Sequence, residues 1–223
     1  MNRVQLEKKV LNENDRIAAC LRQYFAEKGT VCLNLISSPG SGKTTLLERT
    51  LGSFSPHRRI AVLTGDIQTQ NDALRLQRCG FPVKQITTGG TCHLTASMVE
   101  SHLADWRLEA IELLFIENVG NLVCPASYDL GEAAKIVLLS VTEGEDKPLK
   151  YPSIFFKAEL AVLTKTDLLP YVPFNVRAAE ENLRRVHPGI DILKLSSSSG
   201  QGIEDWLGWL EKRIANAETL CGA

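Results

Sequence analysis

The chain has 223 residues, 44% of them hydrophobic and 23% charged, with a formal net charge of −1. That length suits one α/β domain over residues 1–223, and the composition is ordinary for a soluble globular protein. With no long run of one sign, charge gives no support to a nucleic-acid or anionic-membrane role; no apolar stretch nears the roughly 18 residues of a membrane span, and residues 1–9 lack the apolar core of a secretory signal, so the expected location is cytoplasmic.

In chain order, residues 3–28 predict an amphipathic helix. Val4, Val10, Leu11, Ile17, Ala18, Leu21 and Phe25 recur at helical spacing, and Gly29 marks the stop. Residues 31–36 form a short apolar run that ends in a Gly/Ser-rich turn, the pattern of a buried strand, and 44–51 follow as a helix. The alternation then repeats. Strands are expected at 60–64, 82–86, 113–116, 136–141, 160–164 and 190–195, with helices at 71–79, 93–106, 175–186 and 203–215. Such alternation predicts an α/β fold, a mainly parallel β-sheet flanked by helices on both faces. Two stretches break the rhythm, 118–133 and 142–157. Both are rich in Gly, Pro and polar residues and read as functional loops.

The turn after the first strand is Ser37-Ser38-Pro39-Gly40-Ser41-Gly42-Lys43-Thr44-Thr45. It matches the phosphate-loop pattern except that Ser37 stands where the first glycine is usual. Gly40 and Gly42 let backbone N–H groups curl toward phosphate oxygens, and the following helix adds the positive end of its dipole. Lys43 is placed to reach the β- and γ-phosphates, and the Thr44 hydroxyl to ligate Mg²⁺. Two acids follow strands that should converge on the same crevice, Asp66 after 60–64 and Glu117 after 113–116. An acid there holds Mg²⁺ directly or through water, or orients the attacking water. Taken singly, each is equally well a solvated strand end.

Thr164-Lys165-Thr166-Asp167 ends another apolar run. GTPases carry Asn-Lys-x-Asp at such a place. The Asp167 carboxylate can accept from guanine N1–H and N2–H₂, which adenine does not offer, and the Lys165 stem can cover the base. Thr164 replaces the usual Asn, which leaves the support of this loop open. One strand–helix unit later, Ser196 and Ser197 open a serine/glycine loop able to back the base through N–H groups. Together these favour GTP/GDP over ATP.

The six cysteines form no C-x-x-C pair. In a chain of this kind thiols are buried hydrophobes or metal ligands more often than disulfides. Cys20 and Cys32 lie on apolar faces and read as core; Cys79 lies at a helix end and Cys221 in the tail. His57, His102 and His187 read as surface histidines. Cys92-His93 stands at the start of the 93–106 helix, where a thiol is more easily deprotonated, and Cys124 lies a few residues past Glu117. Thiolate and imidazole suit Ni²⁺ or Zn²⁺. Adjacent Cys-His also arises by chance, and a lone loop cysteine is often inert, so both readings stand on the residues alone.

Longer motifs go further. Phe115-Ile116-Glu117-Asn118-Val119-Gly120-Asn121-Leu122-Val123-Cys124-Pro125-Ala126-Ser127 closely resembles the hydrogenase-maturation nickel GTPases, the HypB family of SIMIBI-class P-loop GTPases. So do Leu139 to Pro152, Cys92-His93 and Lys165 to Pro170, and the resemblance runs from about residue 5 to 215. It implies a GTPase with Mg²⁺ at Thr44, Asp66 and Glu117, and nickel, or zinc, at Cys92, His93 and Cys124. It also implies a nucleotide-favoured homodimer sharing the metal site, a HypA-like nickel carrier as partner, and the [NiFe] hydrogenase large subunit as recipient. The chain departs from many members in having no N-terminal His-rich tract or Cys-rich motif, so no nickel store is expected. The rival readings are a urease-type accessory GTPase, a P-loop small-molecule kinase with structural cysteines, and a GTP switch without metal. A Cys-Pro-His motif would mark the urease type; here Pro125 follows Cys124 with no histidine after it.

Overall fold

A computed structural model of the chain describes residues 3–68, 71–107 and 110–221. The elements in order are α1 (Arg3–Lys28), β1 (Val31–Ser37), α2 (Lys43–Ser53), β2 (Ile60–Asp66), α3 (Asn71–Gln77), β3 (Val83–Thr87), α4 (Ala96–Leu103), β4 (Leu113–Glu117), β5 (Ala134–Ser140), α5 (Lys147–Lys150), α6 (Pro152–Lys157), β6 (Leu160–Thr164), α7 (Val176–Val186), β7 (Asp191–Lys194) and α8 (Ile203–Cys221). The strands form one seven-stranded sheet in the order β3-β2-β4-β1-β5-β6-β7. Every pairing is parallel.

Side-chain alternation explains the layering, because successive strand residues point to opposite faces. Leu33, Leu35, Val62, Phe115, Leu138 and Val162 face α2, α3 and α8, where they meet Leu46, Leu76 and Trp206. Cys32, Leu63, Leu114 and Ile116 face α1 and α4. Val137, Leu139 and Leu163 face α6 and α7. Strands buried on both faces must be largely apolar, and the central ones are, apart from Asn34 and Lys135 within them and the polar residues Ser37, Glu117, Ser140 and Thr164 at their carboxyl ends. The edges differ: β7 has no fully buried residue and β3 has one. Across the first layer, Trp206 Nε1 donates to Thr50 Oγ1 at 2.8 Å, so the burial of its ring leaves no polar group unpaired.

Several expectations need correction. Residues 142–157 are not a plain loop; they hold α5 and α6, each with proline in its first two positions. A fixed proline φ favours the first helical turn, so these prolines start helices within a stretch expected to be loop. The helix expected from His93 begins at Ala96, because Thr95 caps it by accepting from Met98 N. Cys92 and His93 therefore lie in the turn before the helix. Cys20 is exposed. The buried stripe of α1 runs through Asn14, Ala18, Leu21 and Phe25, and Cys20 projects off it. Cys32 is buried as expected, while Cys79 lies past the end of α3, half-buried against the core. His57 is exposed, but His102 and His187 are half-buried. The side chains of Val4 and Cys221 lie outside the described residues.

β1 sits at the switch point of the sheet. The chain leaves it for β2 on one side, and the later strands β5 to β7 build on the other, so a crevice opens at its carboxyl end. Ser37 of β1, Asp66 of β2, Glu117 of β4 and Thr164 of β6 all end at that edge.

Candidate nucleotide and metal sites

A cleft of about 490 Å³ lies there, lined by Gly40, Gly42, Lys43, Thr44, Thr45, Asp66, Glu117 and Lys165, among others. Gly40 and Gly42 have φ of 74° and 96°, the left-handed region that the curl of the loop demands. Lys43 Nζ donates to Ser37 Oγ at 2.9 Å. The serine in place of the first glycine thus holds the lysine head. Burial lowers the Lys43 pKa, and the nearby Glu117, Asp72 and Glu143 oppose that shift. Thr44 Oγ1 donates to Glu117 Oε1 at 2.6 Å. Glu117 is fully enclosed, and its other oxygen, Oε2, has no partner. Burial raises its pKa to about 7, against the pull of Lys43 and the Thr44 hydrogen bond. A buried, unpaired carboxylate oxygen beside a threonine hydroxyl fits a hard divalent cation or its water. Asp66 Oδ1 accepts from Gln68 N at 3.0 Å at the mouth of the cleft.

The phosphate loop is braced from two sides. Ser41 Oγ lies 2.7 Å from Glu143 Oε1, and Lys147 Nζ bridges Ser38 Oγ at 2.7 Å and Glu143 Oε2 at 2.5 Å. Burial drives the Glu143 carboxyl upward, but hydrogen bonds from Lys147, Ser41, Ser38 and the Ser140 amide overcome it and keep its pKa low. From the other side Gly120 packs on Pro39; a Cβ there would lie 2.9 Å from Pro39 Cα. The loop after Glu117 therefore touches the phosphate loop, and only glycine fits. Sequence reasoning missed Glu143 and Lys147. Their i,i+4 spacing inside the motif from Leu139 to Pro152 was the available signal.

Thr164 is explained by its contact. Its hydroxyl donates to the Ser41 carbonyl at 2.7 Å, tying the Lys165–Asp167 turn to the phosphate loop. Lys165 takes a left-handed φ of 61°, and its Nζ donates to the Gly40 carbonyl at 2.7 Å. Asp167 Oδ1 and Thr166 Oγ1 are buried without partners. Thr166 N donates to Leu195 O, which brings the serine loop alongside. In that loop Ser196 is buried and its Oγ accepts from Ser199 N at 3.1 Å. Gly202, at φ 73°, is obligatory, since a Cβ would meet Lys194 O at 2.1 Å. Asp167, Ser196 and Ser197 do not line the phosphate cleft; Lys165 is the residue that joins the two regions.

Cys92, His93 and Cys124 do come together. Their donor atoms all lie within 4.8 Å of one another. The two sulfurs are 2.7 Å apart as free thiols, and Cys92 Sγ is 3.9 Å from His93 Nδ1. The hydrogen bond with Cys92 is the main cause of a raised Cys124 pKa, and burial lowers that of His93. Asn121 Oδ1 accepts from Val123 N and Cys124 N, shaping the turn that presents Cys124. Tyr128 stacks on His93 with ring centroids 3.9 Å apart. Two sulfurs and one imidazole nitrogen at this spacing make a donor set for a borderline or soft cation. No other group of three or more such donors occurs among the described residues.

The sheet order, the phosphate loop and the strand-end acids define a P-loop nucleotide-binding protein. Residues 31–194 match the model of the CobW/HypB/UreG nucleotide-binding domain. A hydrogenase maturation factor HypB from Azotobacter chroococcum is 52% identical over 212 residues, covering 94% of this chain and 69% of the relative. The hydrogenase/urease maturation factor HypB of Helicobacter pylori is 42% identical, covering 97% and 90%. A crystal structure of HypB from Helicobacter pylori in complex with nickel superposes with a TM-score of 0.86 at 43% identity, covering 92% of this chain and 96% of that one. The chain belongs to the HypB hydrogenase maturation factors of the CobW/HypB/UreG family. Among the described residues no helix is long and apolar enough to cross a membrane.

Proposed function

We propose that this protein is a GTP-hydrolysing metallochaperone that takes nickel as cargo and assists its insertion into [NiFe] hydrogenase. The observation that carries the reading is the loop from Glu117 to Cys124. Its first residue bonds the phosphate-loop Thr44, its Gly120 packs on Pro39, and its last residue belongs to the thiol–imidazole cluster. One segment thus joins a γ-phosphate sensor to a metal ligand. The Helicobacter pylori relative crystallised with nickel supports nickel as the cargo, with zinc as a competing occupant of the same donors.

In this reading Lys43 and the loop N–H groups neutralise the phosphates, and Asp167, backed by Ser196 and Ser197, selects guanine. Thr44, Asp66 and Glu117 would hold Mg²⁺, which would supply charge neutralisation for the phosphates. The unpaired Oε2 of Glu117 would take the cation or its water. Water attack then gives GDP and phosphate, and loss of the γ-phosphate relaxes the Asp66 and Glu117 segments. Cys124 moves with them, and the grip on nickel changes. Two copies across a symmetry axis would bring six donors together, which suits a homodimer in the cytoplasm that receives nickel from a HypA-like carrier and passes it to the hydrogenase large subunit. Nickel titration of wild type, Cys92→Ala and Cys124→Ala tests the site. Undiminished binding in both variants would remove the cluster as the cargo site.

A further inference from the structure

Three buried side chains outside both sites link them. Asn34 lies inside β1, Asn118 directly follows Glu117, and Glu132 precedes β5; each is at most 6% exposed. Asn34 Nδ2 donates to Glu132 Oε1 at 3.1 Å, and Asn118 Nδ2 donates to Asn34 Oδ1 at 3.2 Å. Asn118 Oδ1 accepts from Val119 N at 3.0 Å and from Leu94 N at 3.4 Å. Glu132 Oε2 accepts from Leu130 N at 2.6 Å, and Lys135 pairs with Glu132 while donating to Tyr128 O at 3.1 Å. The polarity of the chain is forced. Glu132 Oε1 pairs with Lys135 and its Oε2 accepts from Leu130 N, so Asn34 presents its NH₂ to Glu132 and its oxygen to Asn118.

The ends of this relay matter. Leu94 immediately follows Cys92-His93 and packs on Gly65, beside Asp66. Tyr128 stacks on His93, and Leu130 closes the loop that carries Cys124. The relay therefore starts at the residue after the γ-phosphate sensor and touches both metal-bearing segments. A second bridge joins the same two segments without touching the nucleotide strands. Asn14 of α1 donates to Asp129 O at 2.8 Å and accepts from Ala96 N at 2.9 Å.

We infer that Asn118, Asn34 and Glu132 are positioning residues that transmit nucleotide state to the Cys92–His93–Cys124 cluster, whereas Asn14 is a fixed clamp on it. This rests on the nickel-GTPase reading above. A buried network in which each amide is bonded through both its NH₂ and its oxygen moves as a unit or breaks, so it conveys a displacement of the β4 end to both segments.

The test measures Ni²⁺ affinity with GDP and with a non-hydrolysable GTP analogue, each with Mg²⁺, in wild type, Asn34→Ala, Asn34→Asp and Asn14→Ala. In wild type the two affinities should differ by about 5- to 150-fold. That ratio should collapse to one in the Asn34 variants, and in Asn14→Ala both affinities should weaken by a common factor with the ratio kept. A ratio that persists in a folded Asn34 variant overturns the assignment, as does its equal loss in Asn14→Ala. A wild-type ratio of one defeats the underlying coupling instead. Should the Asn34 variants not fold, the side-chain amide resonances of wild-type Asn34 and Asn118 decide. They should shift between GDP and GTP analogue, and unmoved resonances reject the relay.

Discussion

The phosphate end of the cleft and the thiol cluster are built in opposite ways. At the phosphate end each functional side chain is already held: Lys43 by Ser37, Thr44 by Glu117, Ser41 by Glu143. The candidate metal donors come from two separate segments, are half-buried, and are flanked by Tyr128 on His93 and Asn121 at Cys124. In the proposed hydrolysis, preorganisation would let the phosphate end act on developing charge without rearranging. A cargo site has the contrary requirement. In the proposed reading, ligands fixed as firmly as Lys43 would not let the metal go, and the two segments that carry the cluster are separate in sequence.

The largest expected effect that sharpens this contrast is at Lys43. Lys43→Ala should slow GTP hydrolysis by about 10²- to 10³-fold, read in steady-state phosphate release, while Ni²⁺ binding to the GDP form stays intact.

Glu117 comes next. Its folded pKa, about 7, lies above the ordinary 4.5, so its contribution to stability is intact below about pH 4.5 and is lost as pH rises through about 7. For a fully buried group that shift corresponds to a loss of about 3 kcal/mol in the nucleotide-free protein. Denaturant melts across this window should show the decline, and Glu117→Gln should flatten it while abolishing the Mg²⁺ dependence of GTP binding.

On the metal side, Cys92→Ala or Cys124→Ala should each weaken Ni²⁺ binding by about 100-fold or more by competition titration, since even outer partners of a metal ligand are worth about 10- to 100-fold. GTP affinity without metal should be unchanged; if it fell in step, the two regions would not be separable.

Smallest is Thr164→Ala, which removes one buried hydrogen bond to the phosphate loop. About 1 kcal/mol, or roughly fivefold in GTP affinity by fluorescent-nucleotide titration, is the expected loss.

Much of this contrast was legible in the residues. The central strands announce themselves as apolar runs because both faces are covered, and the phosphate loop by its glycines. The cluster was nameable once the motif around Glu117 and Cys124 was read as a whole. What stayed hidden depends on tertiary placement. Cys20 is apolar in kind but projects off the buried stripe of α1, so composition misplaced it. Pro148 and Pro152 start α5 and α6, an effect set by position within a turn rather than by residue type. The Glu143–Lys147 brace joins residues about a hundred positions from the loop it supports, and local pattern does not register such a span. The same holds for Thr164, whose role appears only when its hydroxyl is seen on Ser41.

The central claim is that the guanine nucleotide sets the grip on the metal. Isothermal titration of Ni²⁺ into the wild-type protein, saturated with Mg²⁺ and either GDP or a non-hydrolysable GTP analogue, tests it most directly. The account predicts dissociation constants that differ by about 5- to 150-fold between the two states. Equal constants would contradict it.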